Sequence, residues 1–296
     1  MQLLKNNLFY YVIKSFRPKQ WTKNFFVFAA ILFSQNIFNI PMLIKVCIIF
    51  VVFSLLASSI YLINDVCDVE KDRKHPKKKN RPIASGKVPK WLAITIAIVM
   101  SLSCISISFY FGYYTGVVAI AYLVQAVFYS LYFKNIVIMD VLFIALGFLL
   151  RVVAGGVIIG VNISVWLLVC VTLLSLFMAL CKRRHEMLLL GIDANSHRSI
   201  LNDYSVSLLD QMISVVTSAI LVFYSIYTFM ANQNKYLMFT TPFVLYGIFR
   251  YLYLVYKKEG GGEPEEILLM DKPMILDLLL WVVVSYLALY VMPVML

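Results

Sequence analysis

Long apolar runs separated by short charged stretches set the pattern of this chain. A helix that crosses the roughly 30 Å hydrocarbon core of a bilayer needs about 20 apolar residues. Runs of that kind fall at about 24–40, 42–63, 91–111, 115–133, 137–160, 163–181, 212–231, 236–256 and 274–295. The first contains Ser34, Gln35 and Asn36, which blur its outer boundary, while Gly112, Gly160 and Pro242 punctuate turns or helix starts. The pattern predicts an all-α polytopic membrane protein, with nine transmembrane helices bundled around a cytoplasm-facing cavity in one domain over residues 1–296. Residues 1–23 lack a compact apolar core and a small-residue cleavage site, so they read as an amphipathic helix on the membrane surface rather than a signal peptide.

Composition and charge give this picture an orientation. With 62% of residues hydrophobic and 14% charged, the chain has too little polar surface to cover a water-soluble fold. The net charge of +11 sits in short loops, a pattern that suits anionic headgroups and phosphorylated substrates and excludes nucleic acid as the partner. The segment before the first run and those after the second, fourth, sixth and eighth carry 22 of the 26 Lys and Arg. By the positive-inside rule these face the cytoplasm of a bacterial inner membrane, which places the C-terminus outside. The carboxylates lie on the same side, so one face should hold nearly all the chemistry. A transporter would need polar groups reaching both faces, yet the outer half is nearly free of charge. The five scattered cysteines read as reduced packing residues.

The most informative stretch is YLINDVCDVEKDRKHPKKKNRPIASGKVPK at 61–90. Asn64, Asp68 and Asp72 recur every fourth residue and so form one polar stripe at the end of a helix, with Asp65 at its edge. Oxygen ligands without a thiolate or imidazole partner favour Mg²⁺, which takes one or two carboxylates and bridges to substrate phosphates. Arg73, His75, Lys77 and Arg81 follow as donors for phosphate oxygens. A second loop, 182–211, opens with Lys182, Arg183, Arg184, His185 and Glu186, followed by Asp193. Glu186 can add a ligand, orient a base, or simply pair with Lys182. Within the fifth run, Asp140 and Arg151 lie 11 residues apart and share a helix face, so they read as a functional intramembrane pair or a structural one. Lys134 adds a donor at the same rim. In RPKQWTKN at 17–24, Trp21 is either a headgroup-depth anchor or part of a clamp for a lipid phosphate with Lys19, Gln20 and Lys23. Gly147, Gly155 and Gly156 allow close helix packing or a groove for an extended lipid chain. Gly260–Gly262 lack the lysine and context of a nucleotide loop.

The segment NDVCDVEKDRKHPKKKNRPIASG at 64–86 resembles the UbiA superfamily of intramembrane prenyltransferases, and the likeness extends over almost the whole chain. RPKQWTKN at 17–24, FKNIVIMDVLFIALGFLLRVVAGG at 133–156, KRRHE at 182–186 and GGGEPEEILLMDKP at 260–273 resemble the branch that contains decaprenyl-phosphate phosphoribosyltransferase. Superfamily members acting on aromatic rings usually carry a second aspartate-rich motif where this chain has KRRHE. The resemblance implies transfer of 5-phosphoribose from phosphoribosyl diphosphate (PRPP) to a polyprenyl phosphate, or, as the alternative, transfer of a prenyl group from its diphosphate to an aromatic acceptor. It also implies Mg²⁺, with Asn64, Asp68 and Asp72 as metal ligands and Asp68, Asp72 and Glu186 at the reacting centre. Asp65, Arg73, Lys77, Arg81, Lys134, Arg151, Lys182 and Arg183 would hold the donor, and Lys19, Gln20 and Lys23 the lipid phosphate.

Overall fold

The computed structural model describes residues 2–74, 78–190, 199–230, 235–257 and 270–292, and among these every regular element is helical. In chain order they are α1 (Gln2–Ser15), a 3₁₀ segment (Pro18–Phe28), α2 (Ala29–Phe33), α3 (Ile40–Cys67), α4 (Val69–Lys74), α5 (Lys90–Phe111), α6 (Tyr113–Leu131), α7 (Met139–Ile159), α8 (Val165–Leu190), α9 (Val206–Met230), α10 (Thr241–Lys257) and α11 (Lys272–Tyr286). Eight described helical segments are long and apolar enough to cross a membrane: α3, α5 to α9, α10 together with the 3₁₀ residues before it (Tyr236–Lys257), and α11 together with the π segment after it (Lys272–Val291). Local signals explain their ends. Asn39 caps α3 by accepting the Met42 N–H at 3.2 Å, and Asp271 caps α11 by accepting the Met274 N–H at 3.0 Å.

The remaining expected crossing, about 24–40, is not a regular α-helix. It begins inside the 3₁₀ segment, continues through the five residues of α2, and stops at the Ser34–Asn36 break. At about 2.0 Å per 3₁₀ residue and 1.5 Å per α residue, the 3₁₀ segment and α2 together still reach about 30 Å. The match to α3 accounts for the unusual length of this 3₁₀ stretch. Three 3₁₀ residues and four α residues both rise about 6 Å, so side chains three apart on one can meet side chains four apart on the other. Trp21 Nε1 donates to Ser58 Oγ at 3.1 Å, and Asn24 Nδ2 donates to Ser54 Oγ at 2.9 Å. Beside these contacts, the rings of Phe25 and Phe28 close on Phe50.

The chain divides into two compact units. The first comprises Met1–Leu32, Asn36–Ser130 and Leu150–Val161. There α3 packs along α5, and Val27, Ile49, Phe53, Leu56, Tyr122 and Ile158 share one apolar core. Leu8, Tyr11 and Val12, on one face of α1, cover a smaller cluster around Leu62, Val69 and Ile83. The second unit comprises Phe33–Gln35, Leu131–Leu149 and Asn162–Leu296, where α8 packs on α9 around Phe177, Leu180, Leu209, Ile213 and Tyr251. Outward positions such as Leu102 and Val215 stay exposed and apolar, as a lipid-facing surface requires. All five cysteines are free thiols; Cys104 and Cys181 are buried, whereas Cys47 and Cys67 are exposed.

Gly155 shows why small residues recur in α7. A Cβ there would lie 1.9 Å from the Val27 carbonyl oxygen, so the two backbones touch only because the position has no side chain. Gly160 differs: its φ is 69° with open space around it, so only its backbone conformation favours glycine. Gly155→Ala should therefore destabilise the protein by about 1–3 kcal/mol through overpacking. Gly160→Ala should cost about 1 kcal/mol through the left-handed backbone alone. Thermal unfolding of both variants in detergent compares them, and an equal loss would remove the close-approach argument.

Candidate active site

The polar stripe at the end of α3 survives a break in the helix. Asp68 leaves helical geometry (φ −93°, ψ 8°), yet its N–H still donates to the Asn64 carbonyl at 2.9 Å, and the Asp72 N–H to the Asp68 carbonyl at 2.8 Å. The four-residue step thus continues into α4, with Asn64 and Asp68 half-buried and Asp72 buried. Asp65 is 2% exposed, and its Oδ1 accepts from both Arg17 Nη2 and Arg81 Nη1, the latter at 3.0 Å. Arg81 Nη1 also donates to Asp72 Oδ2 at 2.7 Å. Arg17 adopts a left-handed backbone (φ 53°), uncommon for any residue but glycine, and its guanidinium lies 4.8 Å from the centre of the Tyr61 ring. Tyr61 Oη donates to Gln20 Oε1 at 3.4 Å, and Lys23 Nζ donates to the same oxygen at 2.9 Å. Lys23, Gln20, Tyr61, Arg17, Asp65, Arg81 and Asp72 therefore form one continuous polar strip.

Other expected ligands take different places. Arg73 braces the loop, donating to the Ala84 carbonyl at 3.1 Å and to Glu70 at 3.2 Å. Lys19 is exposed, and its carbonyl accepts the Thr22 hydroxyl. Lys77, His75, Asp193, His197 and Gly260–Gly262 lie outside the described residues. Among the described residues no three His, Cys, Asp or Glu side chains form a group able to hold a metal. Asn64, Asp68 and Asp72 nonetheless offer one amide and two carboxylates, a hard-oxygen set that suits a divalent cation completed by waters and phosphate oxygens. Asp72 can join such a set through Oδ1 while its Oδ2 keeps Arg81.

Asp140 and Arg151 do not act as a pair in the way their shared face suggested. Eleven residues of helix separate them by about 16 Å along the axis, and each is held by other groups. Arg151, 6% exposed, donates through Nε to Asn24 Oδ1 at 2.6 Å and through Nη2 to the Tyr122 hydroxyl at 2.7 Å. Asp140, fully buried in the first turn of α7, accepts Arg183 Nε at 2.6 Å. Periodicity along a single helix cannot reveal partners supplied by other segments, and this was the source of the mismatch.

Arg183 anchors the second polar cluster. It is 1% exposed, and besides Asp140 it donates through Nη1 to Glu186 Oε2 at 2.5 Å. Lys182 is half-buried beside it, and Lys134 is half-buried in the turn Phe133–Asn135. The Tyr204 hydroxyl donates to Asp140 Oδ1 at 2.8 Å and accepts the Ile138 N–H at 2.7 Å. Ile138 has φ 69°, a strained value for a β-branched residue. Burial pushes the Tyr204 hydroxyl up to about 12, which keeps it a neutral donor to the carboxylate. Arg184 forms a separate contact, donating to Asp210 at 2.6 Å while lying 4.0 Å from the Tyr256 ring centre. Arg17, Tyr61 and Tyr204 were not singled out from the sequence. Arg17 carried the faint signal of its place in RPKQWTKN, whereas Tyr61 and Tyr204 carried none.

An all-α membrane fold with an oxygen-rich stripe flanked by arginines is an intramembrane transferase architecture. The model of the UbiA prenyltransferase family matches residues 24–268, and the chain belongs to that family of integral membrane proteins. It is 36% identical over 292 residues to the decaprenyl-phosphate phosphoribosyltransferase of Corynebacterium glutamicum, covering 95% of this chain and 87% of that one. With the decaprenyl-phosphate phosphoribosyltransferase of Mycobacterium tuberculosis it shares 34% identity over 282 residues, 93% of each chain. A solved UbiA homologue from Archaeoglobus fulgidus, bound to GPP and Mg²⁺, superposes with a TM-score of 0.70 at 14% identity over 95% of this chain and 100% of that one, a likeness of fold.

The Tyr204 latch has a measurable signature. Tyr204→Phe leaves the Ile138 N–H and one Asp140 oxygen without a buried partner, at a cost of about 1–3 kcal/mol. In an unfolded chain tyrosine ionises near 10.0, below the folded value of about 12. The unfolded state then releases its proton first, so this contribution is full below pH 10 and is lost as pH rises to about 12. Unfolding midpoints taken from pH 7 to 12 should fall less steeply above pH 10 in Tyr204→Phe than in the wild type.

Proposed function

We propose that this chain transfers 5-phosphoribose from PRPP to a polyprenyl phosphate, releasing diphosphate, in a Mg²⁺-dependent reaction at the cytoplasmic face of a bacterial plasma membrane. The observation that carries this reading is the likeness, at 34–36% identity over nearly the full length, to decaprenyl-phosphate phosphoribosyltransferases. The polar strip at the end of α3 supports it, because it supplies in one place what such a transfer needs. The bond from ribose C1 to the diphosphate oxygen breaks, and an oxygen of the lipid phosphate forms the new bond to C1. Asn64, Asp68 and Asp72 would hold a divalent cation, which would supply charge neutralisation for the departing diphosphate.

The chain's own residues do the remaining work. Arg81 and Lys77 hold donor phosphates, with Asp65 fixing Arg81 and Arg73 bracing the loop that carries it. Lys19, Gln20 and Lys23 receive the lipid phosphate, with Tyr61 Oη steadying Gln20. Arg183, sealed against Asp140, acts by holding Glu186 in place. An ionised lipid phosphate is already nucleophilic, so the reaction demands no strong general base.

A second reading, prenyl transfer from a diphosphate to an aromatic acceptor, draws support from the fold likeness to the homologue solved with GPP. Incubating purified protein with radiolabelled PRPP and polyprenyl phosphate decides between the two. A labelled lipid formed only with Mg²⁺ is the expected product; prenylation of a hydroxybenzoate instead would sink the proposal. Asp68→Ala and Asp72→Ala should each lower kcat/KM by about three orders of magnitude or more. Lys23→Ala should raise KM for the lipid phosphate and leave that for PRPP nearly unchanged, and a defect confined to PRPP would reverse this assignment.

A further inference from the structure

Beside the polar strip lies a hollow of about 270 Å³ lined by Lys14, Arg17, Asp65, Asn80 and Arg81. Ligand sites usually run from about 300 to 1,000 Å³, so this one suits one end of a ligand rather than a whole one. Its construction is specific. Two arginine side chains, 26% and 28% exposed, meet on one carboxylate that is 2% exposed. Asp65 is the buried partner of both guanidiniums but offsets only one of their charges. Arg81 makes both carboxylate contacts through Nη1, and Arg17 makes its contact through Nη2. Other guanidinium donors thus remain for a ligand, in the planar geometry that matches phosphate oxygens. Three cations against one carboxylate leave the lining with a net charge of +2. Asp72 draws on Arg81 from outside the hollow.

A phosphate monoester carries a charge of about −1.5 to −2 near neutral pH and three acceptor oxygens. We propose that the hollow is a phosphate-monoester subsite, separate from the oxygen stripe of Asn64, Asp68 and Asp72, and that it takes the 5-phosphate of the pentosyl donor. This rests on the function proposed above. The lipid acceptor ends in the same chemical group, but its cation Lys23 bonds Gln20, which Tyr61 separates from Arg17 along the strip, whereas Arg81 bonds the stripe itself at Asp72. Arg17 is then a donor ligand, and Asp65 is the positioning residue that sets the two guanidiniums at its oxygens.

The test uses the full chain in detergent and reads binding without turnover, by calorimetry, for ribose 5-phosphate, ribose and geranyl phosphate. Ribose 5-phosphate should bind and ribose should not. Arg17→Gln should weaken ribose 5-phosphate by about tenfold or more, Arg17→Lys should recover part of the loss, and geranyl phosphate should be unaffected. In turnover, Arg17→Gln should raise KM for PRPP and not that for the lipid. Lys14→Gln, at an exposed position of α1, should weaken ribose 5-phosphate several-fold and carries the test if Arg17→Gln does not fold. Unchanged ribose 5-phosphate affinity in Arg17→Gln, or in Lys14→Gln where that variant stands in, overturns the subsite. A loss that falls on geranyl phosphate assigns the hollow to the lipid and overturns the donor assignment. A wild type that binds ribose 5-phosphate yet transfers nothing from PRPP defeats the proposed function and leaves the hollow standing.

Discussion

A charge withdrawn from water at the edge of a membrane costs several kcal/mol unless a partner meets it with good geometry. The rest of this structure depends on that constraint. Asp65 is tolerated at 2% exposure because Arg17 and Arg81 converge on one of its oxygens, and Asp140 is fully buried because Arg183 and Tyr204 take its two oxygens separately. Arg151 has an Asn24 amide oxygen and a Tyr122 hydroxyl arranged around it. Each arrangement joins segments distant in sequence, so the need to neutralise charge also dictates which segments meet.

The two polar clusters use this device for different ends. In the first, the guanidiniums remain about one-quarter exposed and keep donors beyond those given to Asp65. In the second, Arg183 is closed off and transmits its fixed position to Glu186, whose side chain is 25% exposed. A part-exposed arginine suits ligand capture, because its remaining donors still face water. A sealed arginine suits placement, because nothing competes for it. The left-handed backbone at Ile138, closed by the Tyr204 hydroxyl, shows that the second cluster is held even against local strain.

Much of the fold could be read from the sequence because a bilayer imposes one length and one polarity on every crossing. The Asn64–Asp68–Asp72 stripe was legible for a similar reason, since a four-residue repeat survives even a break at Asp68. Partners across space were not legible. Asp140 and Arg151 share a face by arithmetic, yet each answers to residues on other segments. Arg17 escaped notice because its role comes from a single left-handed residue beside Pro18, which turns the guanidinium toward Tyr61 and Asp65. The first crossing was misjudged as a helix because hydropathy reports how apolar a segment is and not its rise per residue.

That segment has one more property. A 3₁₀ coil and an α coil are commensurate at a spacing of about 6 Å, the length of three residues of one and four of the other. Trp21 with Ser58 and Asn24 with Ser54 are two successive coincidences of this shared lattice. Adding or removing one residue between Pro18 and Phe28 would rotate everything beyond it by about 120° and put every later coincidence out of phase. The residue count of this stretch is therefore the least free to drift, and length variation in this protein belongs in its loops.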